Sequence, residues 1–423
     1  MKLEYIASAL NHVWIGGVET RRDANFNKRI NEIVVEVNSW YDYHKFGVLF
    51  NAYGEPRAGQ LHQDLFSPYT IQCDSGGLQM ITLGHTPNDE LRDKVYRIQA
   101  KSATVGMCFD EIPLRTTGKT FAVNTAARKY DRSIVPEAAK QTAKNILRQI
   151  DVYKEENSTC KPYLIIQGNS FETYQEWLSE CLKHIPDDYQ KELYGVASGG
   201  GCLGNGELED VERIFTLSHL DAPDHLLKNF HLLGVGSPNR IITIEKMGHL
   251  FHDDVTISYD STKHTGGVMR GQIQIAHQCQ CIASRTRTAR YMKIWAAFDK
   301  FQQEKLKTQW TEEQFHDGLL PTTDYLYKKH GTPEENPQFV LDISVLRFAI
   351  LSFSVYNLFE VINNIRTGVH GKTATDVNLL RTLEGIKDVK GFNDWKQRYG
   401  KFFKSVRTPS VEDVDSSLEG FFG

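Results

Sequence analysis

Short apolar runs recur along the first two thirds of the chain, and each ends in glycine or polar residues. Runs of this length that are rich in β-branched and aromatic residues are typical of strands buried on both faces, as in a parallel sheet. The pattern therefore predicts seven strands of one sheet. They are "FGVLFNAYG" (46–54), "YTIQCDSGG" (69–77), "TVGMCFDE" (104–111), "PYLIIQGN" (162–169), "LYGVASGGG" (193–201), "FHLLGVGSP" (230–238) and "DVTISYDST" (254–262).

Helical patterns lie between several of these runs. "PEAAKQTAKNILRQIDVYKEE" (136–156) begins with a proline suited to a first turn and carries apolar residues at helical spacing. "SFETYQEWLSECLKHI" (170–185) and "NRIITIEKMGHLFH" (239–252) share that spacing. Strands that alternate with helices indicate an α/β fold, and we expect a (β/α)8 TIM barrel with one strand hard to place; a doubly wound sheet is the alternative.

The pattern changes after "ARYMKIWAAFDKFQQEKLK" (289–307), where a helical tail begins. We expect residues 1–305 to form the barrel with insertions and added N-terminal elements, and residues 306–423 to form a helical C-terminal extension packed on it. The most apolar part of this tail is 339–365. Segment 116–135 lacks a clear period and is expected to form a loop over the barrel mouth.

Composition indicates a folded protein, since 40% of the 423 residues are hydrophobic and 24% are charged. A net charge of −4 means that any contact with nucleic acid must come from a local basic patch. The seven cysteines and a start without the apolar core of a signal peptide predict reduced thiols and a cytoplasmic location. No apolar run approaches the ~20 residues of a membrane span, so we expect a soluble protein without a membrane partner.

Polar residues follow the apolar runs at the positions where a barrel holds its active site, the C-terminal ends of the strands. Each of them alone fits an ordinary turn or loop. Together, three carboxylates, an amide and glycine backbone amides predict a pocket for a polar, planar ligand. The three carboxylates are Asp74, Asp110 and Asp260, and Glu111 directly follows Asp110; the other members of the set are Ser75, Gln167, Gly199, Gly200 and Gly201.

This ordered set of motifs resembles the tRNA-guanine transglycosylase superfamily, whose members exchange guanine in a nucleic acid for a 7-deazaguanine on a (β/α)8 barrel. The resemblance covers about residues 45–290. "DSGGLQ" (74–79) is similar to the family's Asp-Ser-Gly-Gly-aromatic-Gln motif, with Leu78 at the aromatic position. The other similar motifs are "FDE" (109–111), "QG" (167–168), "GGGCLG" (199–204), "LGVGSP" (233–238) and "YDST" (259–262).

The resemblance implies a double displacement at C1′ of the target nucleotide. Asp260 would be the nucleophile, because it follows the run "VTISY" whereas Asp253 precedes it, at the wrong end of a barrel strand. Asp74 would transfer the proton between the departing and incoming bases. Asp110 would accept hydrogen bonds from N1–H and the exocyclic amine of guanine.

The carbonyl oxygen of guanine would be contacted by Gln167 and by the glycine loop 199–201, through the amides of Gly200 and Gly201. Ser75 would bond the base or the nearby backbone. This chemistry requires no cofactor, and its second substrate is a free 7-deazaguanine base. Whether a structural zinc is present stays open: "CQCIAS" (279–284) keeps Cys279 and Cys281 of the family's zinc motif but has Ser284 at the third position, and two thiolates do not complete a tetrahedral site.

The segment after Asp260, "STKHTGGVMRG", lacks the Pro-Thr-Arg stretch with which bacterial tRNA enzymes grip the anticodon loop. The chain is thereby most similar to the DNA-guanine transglycosylases of phages and bacterial modification clusters, which insert 7-cyano-7-deazaguanine or related bases into DNA. A tRNA-acting enzyme and a non-catalytic, nucleic-acid-binding partner subunit are the alternatives. The helical tail could form a homodimer interface or cover DNA. Candidate phosphate contacts are Lys119, Arg128, Lys129, Arg132, Lys263 and Arg270.

Overall fold

The computed structural model describes residues 1–15, 23–116, 128–168, 170–199, 213–214, 216–236, 238–246, 248, 251–275, 278–281, 287–320 and 323–367. Several sequence predictions fall outside this part of the chain: those on Gly200 and Gly201, on Lys119, and on the tail from residue 368 onward. Most of the predicted loop 116–135 also lies outside it, although its two ends are described.

Eight parallel strands form a closed barrel, so the predicted TIM-barrel fold is confirmed and the doubly wound sheet is excluded. Around the barrel the strands follow chain order, with the eighth hydrogen-bonded to the first. The barrel strands are β1 (Lys2–Ser8), β2 (His44–Asn51), β3 (Ile71–Asp74), β4 (Val105–Met107), β7 (Lys161–Ile166), β8 (Gly195–Ser198), β9 (Asn229–Leu232) and β10 (Thr256–Ser261).

All seven apolar runs are barrel strands, and the strand that was hard to place is β1, "KLEYIAS". It lies between β2 and β10, with Ile6 opposite Gly47 and Asp260. Residues 2–8 therefore form the first barrel strand and not an added element before the barrel. The end of this strand, Ser8, reaches the same rim as the ends of its neighbours.

Two short antiparallel ribbons lie outside the barrel. The strands β5 (Leu114–Thr116) and β6 (Arg128–Tyr130) form the first ribbon and frame residues 117–127. The second ribbon pairs β11 (Gln272–Ile275) with β12 (Gln278–Cys281). The predicted mouth loop thus begins and ends in paired strands, and helix structure resumes at Val135.

Helices surround the barrel in the order expected of βα units. Their starts follow ordinary capping rules: the Asn88 side chain accepts from the Leu91 amide, and Ser170 and Thr173 form a reciprocal capping box. In the described residues the helices are α1 (Ala24–Ser39), α2 (Ala58–Phe66), α3 (Gly77–Thr82), α4 (Asp89–Ser102), α5 (Val135–Glu155), α6 (Phe171–Leu182), α7 (Asp187–Gln190), α8 (Pro238–Lys246), α9 (Lys263–Met269), α10 (Ala289–Lys305), α11 (Glu312–Leu319), α12 (Thr323–His330) and α13 (Pro337–Thr367).

Helix α13 packs against the barrel and contacts both α1 and α8, the positions that flank the eighth helix in a TIM barrel. Phe359 stacks on His44 of β2, with ring centroids 3.7 Å apart, and Phe348 stacks on Trp14. The C-terminal helical extension is therefore part of the layer that covers β1 and β2.

By length and composition α13 could also cross a membrane, since its most apolar 18-residue window has a mean hydropathy of 1.8. This differs from the expectation that no apolar run is long enough. Inside the protein 78% of that window is buried. A long apolar helix with this degree of burial is typical of the core of a soluble protein.

Candidate active site

The predicted site residues in the described part of the chain come together at the C-terminal rim of the barrel. Asp74 ends β3, Asp260 lies near the end of β10, and Gln167 and Gly199 directly follow β7 and β8. Asp110 follows β4 by three residues. Asp253 lies beyond the opposite end of β10, where its carboxylate is 3.4 Å from the N-terminal ammonium group.

Asp260 is held by several hydrogen-bond donors. The Ser8 hydroxyl donates to Oδ2 at 2.8 Å, and the Gly234 amide donates to Oδ1 at 2.6 Å. Only 14% of the side chain is exposed. Burial by itself would raise the pKa of this carboxyl, but His231, the Gly234 amide and the Ser8 hydroxyl outweigh burial and lower its pKa. Asp260 is therefore ionised and fixed in one orientation.

His231, on β9, is a site residue that sequence reasoning missed. Its Nε2 lies 3.5 Å from Asp260 Oδ1, which is ion-pair distance without hydrogen-bond alignment. Its Nδ1 lies 2.8 Å from the Ser258 hydroxyl. Because that hydroxyl directs its own proton to the Phe230 carbonyl, Nδ1 is the donor of this bond. Only the imidazolium form carries a second proton, on Nε2, and that proton would face Asp260 and stabilise the carboxylate.

A polar chain continues from His231 into the barrel interior, where Gln72 Nε2 donates to Ser258 Oγ at 3.1 Å. His231, Ser258 and Gln72 are each at most 1% exposed. Buried polar groups of this kind are stable only when bonded to one another. These hydrogen bonds therefore fix the orientation of the His231 ring next to Asp260.

Asp74 has the opposite ionisation tendency. Burial, together with the negative charge of Asp260, raises its pKa, although the backbone amides of Gly76 and Ser75 oppose the rise. The two carboxyls thus differ in their preferred charge, as in sites where one holds a proton and the other does not. Ser75 is buried, and its hydroxyl accepts from the Gly77 amide at 3.3 Å.

The turn after Asp74 explains its glycines. Gly76 has a φ of +80°, and a Cβ there would lie 2.6 Å from Asn51 Oδ1 and 2.7 Å from the Tyr53 Cβ. Gln79 Oε1 then accepts from Asn51 Nδ2 at 2.9 Å. The residues after Asp74 therefore form a tight turn at Gly76 that packs on the end of β2 and the loop after it, leads into α3 and sets the direction of Asp74.

Asp110 and Gln167 form a second pair at the rim. Gln167 Nε2 donates to Asp110 Oδ2 at 2.5 Å, and Gln167 is only 4% exposed. Burial raises the pKa of Asp110 to about 7, with Asp74 adding to the rise and Gln167 opposing it. The carboxylate thus keeps one oxygen free of this bond and can accept from a ligand when it is ionised.

Glycines let the backbone approach this pair closely. A Cβ at Gly199 would lie 2.2 Å from Gln167 Nε2, and one at Gly168 would lie 2.6 Å from the Tyr174 ring. The Tyr174 hydroxyl donates to the Gly199 carbonyl at 3.0 Å. A larger residue at Gly199 would therefore displace the Gln167 side chain, and one at Gly168 would displace the Tyr174 ring.

A cavity of about 440 Å³ opens beside Asp260, between the loops that follow β9 and β10. A larger cavity of about 970 Å³ lies at the opposite end of the barrel, near Lys161 and Asn229 at the starts of β7 and β9. None of the three site carboxylates lines it. We therefore place the chemistry at the rim with the carboxylates and not in the larger cavity.

The described residues contain no cluster of three or more His, Cys, Asp or Glu side chains suited to a metal ion. The backbone of Cys279 and Cys281 belongs to β12, but their side chains lie outside the description. Zinc binding by these two cysteines therefore stays an open prediction.

Comparison with known proteins gives no family for this chain. No protein-family profile matches it, and no curated protein is similar to it. The geometry of the rim and the motif resemblance are therefore the observations that bear on its function.

Proposed function

We propose that this protein is a guanine transglycosylase that replaces guanine in DNA with a 7-deazaguanine such as 7-cyano-7-deazaguanine. The observation that carries the proposal is the placement of three carboxyls at one barrel rim: Asp260 accepts from the Ser8 hydroxyl and the Gly234 amide, Asp74 ends β3, and Asp110 is bonded to Gln167. The pKa directions agree with it, since that of Asp260 is lowered and that of Asp74 is raised. Exchange of a base at C1′ needs one ionised nucleophile and one group that carries a proton.

In the first half-reaction an oxygen of Asp260 attacks C1′ of the target nucleotide, and the bond from C1′ to N9 of guanine breaks. Asp74 supplies the proton that the departing guanine takes. The product is a sugar ester of Asp260, with Asp74 left as a carboxylate.

In the second half-reaction Asp74 removes a proton from the incoming deazaguanine, whose freed nitrogen attacks C1′. The ester bond breaks, and Asp260 returns to its carboxylate form. The donors from Ser8 and Gly234, together with the nearby His231 ring, hold Asp260 in place through both steps. No proton or electron pair is gained or lost overall.

Base selection belongs to Asp110 and Gln167. An ionised Asp110 accepts from N1–H and the exocyclic amine of guanine, a donor pair that adenine and the pyrimidines lack. Gln167, already bonded to Asp110 and close to Gly199, would contact the carbonyl oxygen of the base. In duplex DNA the target guanine must leave the base stack to reach this site, at a cost of a few kcal/mol.

The proposal is tested by incorporation of labelled guanine, or of 7-cyano-7-deazaguanine, into duplex DNA, single-stranded DNA and unmodified tRNA offered in parallel. We expect label in DNA, and a loss of at least about a thousand-fold in the Asp260→Asn variant. Asp253→Asn is the matched control, because it removes an Asp at the other end of the same strand. Label in tRNA alone would assign the enzyme to tRNA, and no label with either base would refute base exchange.

A further inference from the structure

The cavity beside Asp260 is lined by two cationic side chains. Its walls are the loop after β9, with Gly234 and Gly236, and the loop after β10, with Ser261 and Thr262. Arg240 and Lys263 line the same space, and among the described residues of the lining Asp260 is the single acidic one. Two cationic side chains therefore lie directly next to the proposed nucleophile.

Local contacts hold both cations at this place. Arg240 lies in the first turn of α8, and its Nη1 is 3.4 Å from the Gly234 carbonyl oxygen. Lys263 begins α9, and its backbone amide donates to the Ser261 hydroxyl at 2.9 Å. The Lys263 side chain is exposed and forms no ion pair with any residue that the structure describes.

The two oxygens of Asp260 already have their own donors, Ser8 and Gly234, and do not depend on Arg240 or Lys263. Two cationic side chains beside a carboxylate that has its own donors suit an anion. Arg and Lys side chains are the usual ligands of phosphate oxygens. In TIM barrels the loops after the seventh and eighth strands commonly bind a phosphate, and β9 and β10 are those strands here.

We propose that this cavity binds a backbone phosphate of the target nucleotide, with Arg240 and Lys263 as its ligands. This inference rests on the proposed base exchange, because that reaction places C1′ at Asp260 and so brings the phosphates on the same sugar within one sugar's width of the cavity. It identifies the substrate as a nucleotide within a polynucleotide and not as a free nucleoside.

Two of the other candidate cations do not line this cavity. Arg132 donates to Glu176 at 2.6 Å, and Arg270 is positioned beside Gln272. Lys119 and the side chains of Arg128 and Lys129 lie outside the described part of the chain.

The test is binding of a short single-stranded DNA with one guanine, measured by fluorescence anisotropy over a range of salt concentrations without free base. Wild type is compared with Arg240→Ala, Lys263→Ala, the double variant that combines these two substitutions, and Arg240→Lys. Lys144→Ala, on an exposed position of α5, is the matched control. A second DNA carries neutral methylphosphonate linkages on both sides of the guanosine, and an RNA of the same sequence completes the set.

For each alanine variant we expect the slope of log affinity against log salt to become shallower by about 0.7, the effect of one lost contact to a single-stranded phosphate. The neutral linkages should weaken wild type about tenfold and have no further effect on the double variant. Arg240→Lys should keep the wild-type slope.

Unchanged slopes in both alanine variants, or an equal effect of the neutral linkages in wild type and double variant, would overturn this inference and leave base exchange intact. If wild type bound neither DNA nor RNA, both proposals would fail. The same slope changes with RNA alone would support the phosphate site and move the enzyme to the tRNA alternative.

Discussion

Replacing Asp110 by Asn should make the protein more stable at alkaline pH while it abolishes guanine exchange. The pKa of Asp110 is about 7 in the folded protein because burial disfavours its charge, whereas an unfolded chain ionises near 3.9. Between these values the folded state binds more protons than the unfolded state, so the free energy of unfolding falls as pH rises from about 4 to about 7.

The magnitude follows from the two pKa values. A rise of about 3 in pKa corresponds to at most about 4 kcal/mol when Asp110 is fully ionised. About 1.5 kcal/mol of this is already lost at pH 5, where the unfolded carboxyl is ionised. Between pH 5 and pH 8, ionisation of Asp110 should therefore lower the free energy of unfolding of wild type by about 2–3 kcal/mol. We expect the lower figure because Asp110 is partly exposed to water.

The measurement is urea unfolding of wild type, Asp110→Asn and Asp64→Asn at pH 5 and pH 8. Other groups also titrate between pH 5 and pH 8. We therefore compare the change in the free energy of unfolding between these two pH values in wild type with the same change in each variant. Asp64 is an exposed carboxylate on α2 and controls for loss of one charge. In Asp110→Asn the Gln167 amide can turn its oxygen toward the new amide, so the pair stays bonded.

An unchanged loss of stability between pH 5 and pH 8 in Asp110→Asn, or a variant less stable than wild type at pH 8, would refute this reasoning. Either result would mean that the folded protein compensates the Asp110 charge well enough for it to ionise normally.

Three further outcomes are expected. Guanine affinity of wild type should rise about tenfold per pH unit up to about pH 7 and then level off, as calorimetric titration would detect, because Asp110 must be ionised to accept; a flat profile would contradict this. His231→Phe should move the acidic limb of the exchange rate to higher pH, since His231 helps to lower the pKa of Asp260; an unmoved limb would leave the ring only a packing role. Gly199→Ala should raise the KM for free base about tenfold with folding retained, because its methyl group displaces Gln167; Gly77→Ala, with no atom closer than 3.6 Å to the added methyl, is the control.

Periodicity in the sequence was sufficient for most of the fold. Runs such as "PYLIIQGN" and helices such as 136–156 are local patterns, and a strand buried on both faces is apolar whatever its neighbours are. The first strand escaped this reasoning, because "KLEYIAS" carries the charged residues Lys2 and Glu4 within it. Only closure of the barrel, through its pairing with β2 and β10, makes it a strand.

The positions of the site carboxylates were also predictable, since the end of a parallel strand is set by chain direction. That rule placed Asp74, Asp110 and Asp260 at one rim. The partners of Asp260 were not predictable in the same way. Ser8 is 252 residues away in sequence, and His231 looked like one polar residue in an apolar run.

The sequence by itself thus determined which elements form and which polar groups end them, because both depend on local pattern and strand direction. Tertiary structure alone decided the ionisation of those groups. Burial raises the pKa of Asp74 and Asp110, while donors from β1, β9 and the loop after β9 lower that of Asp260. A pKa depends on the charges and donors within a few ångströms. The barrel brings these groups together from positions as far as 252 residues apart in sequence.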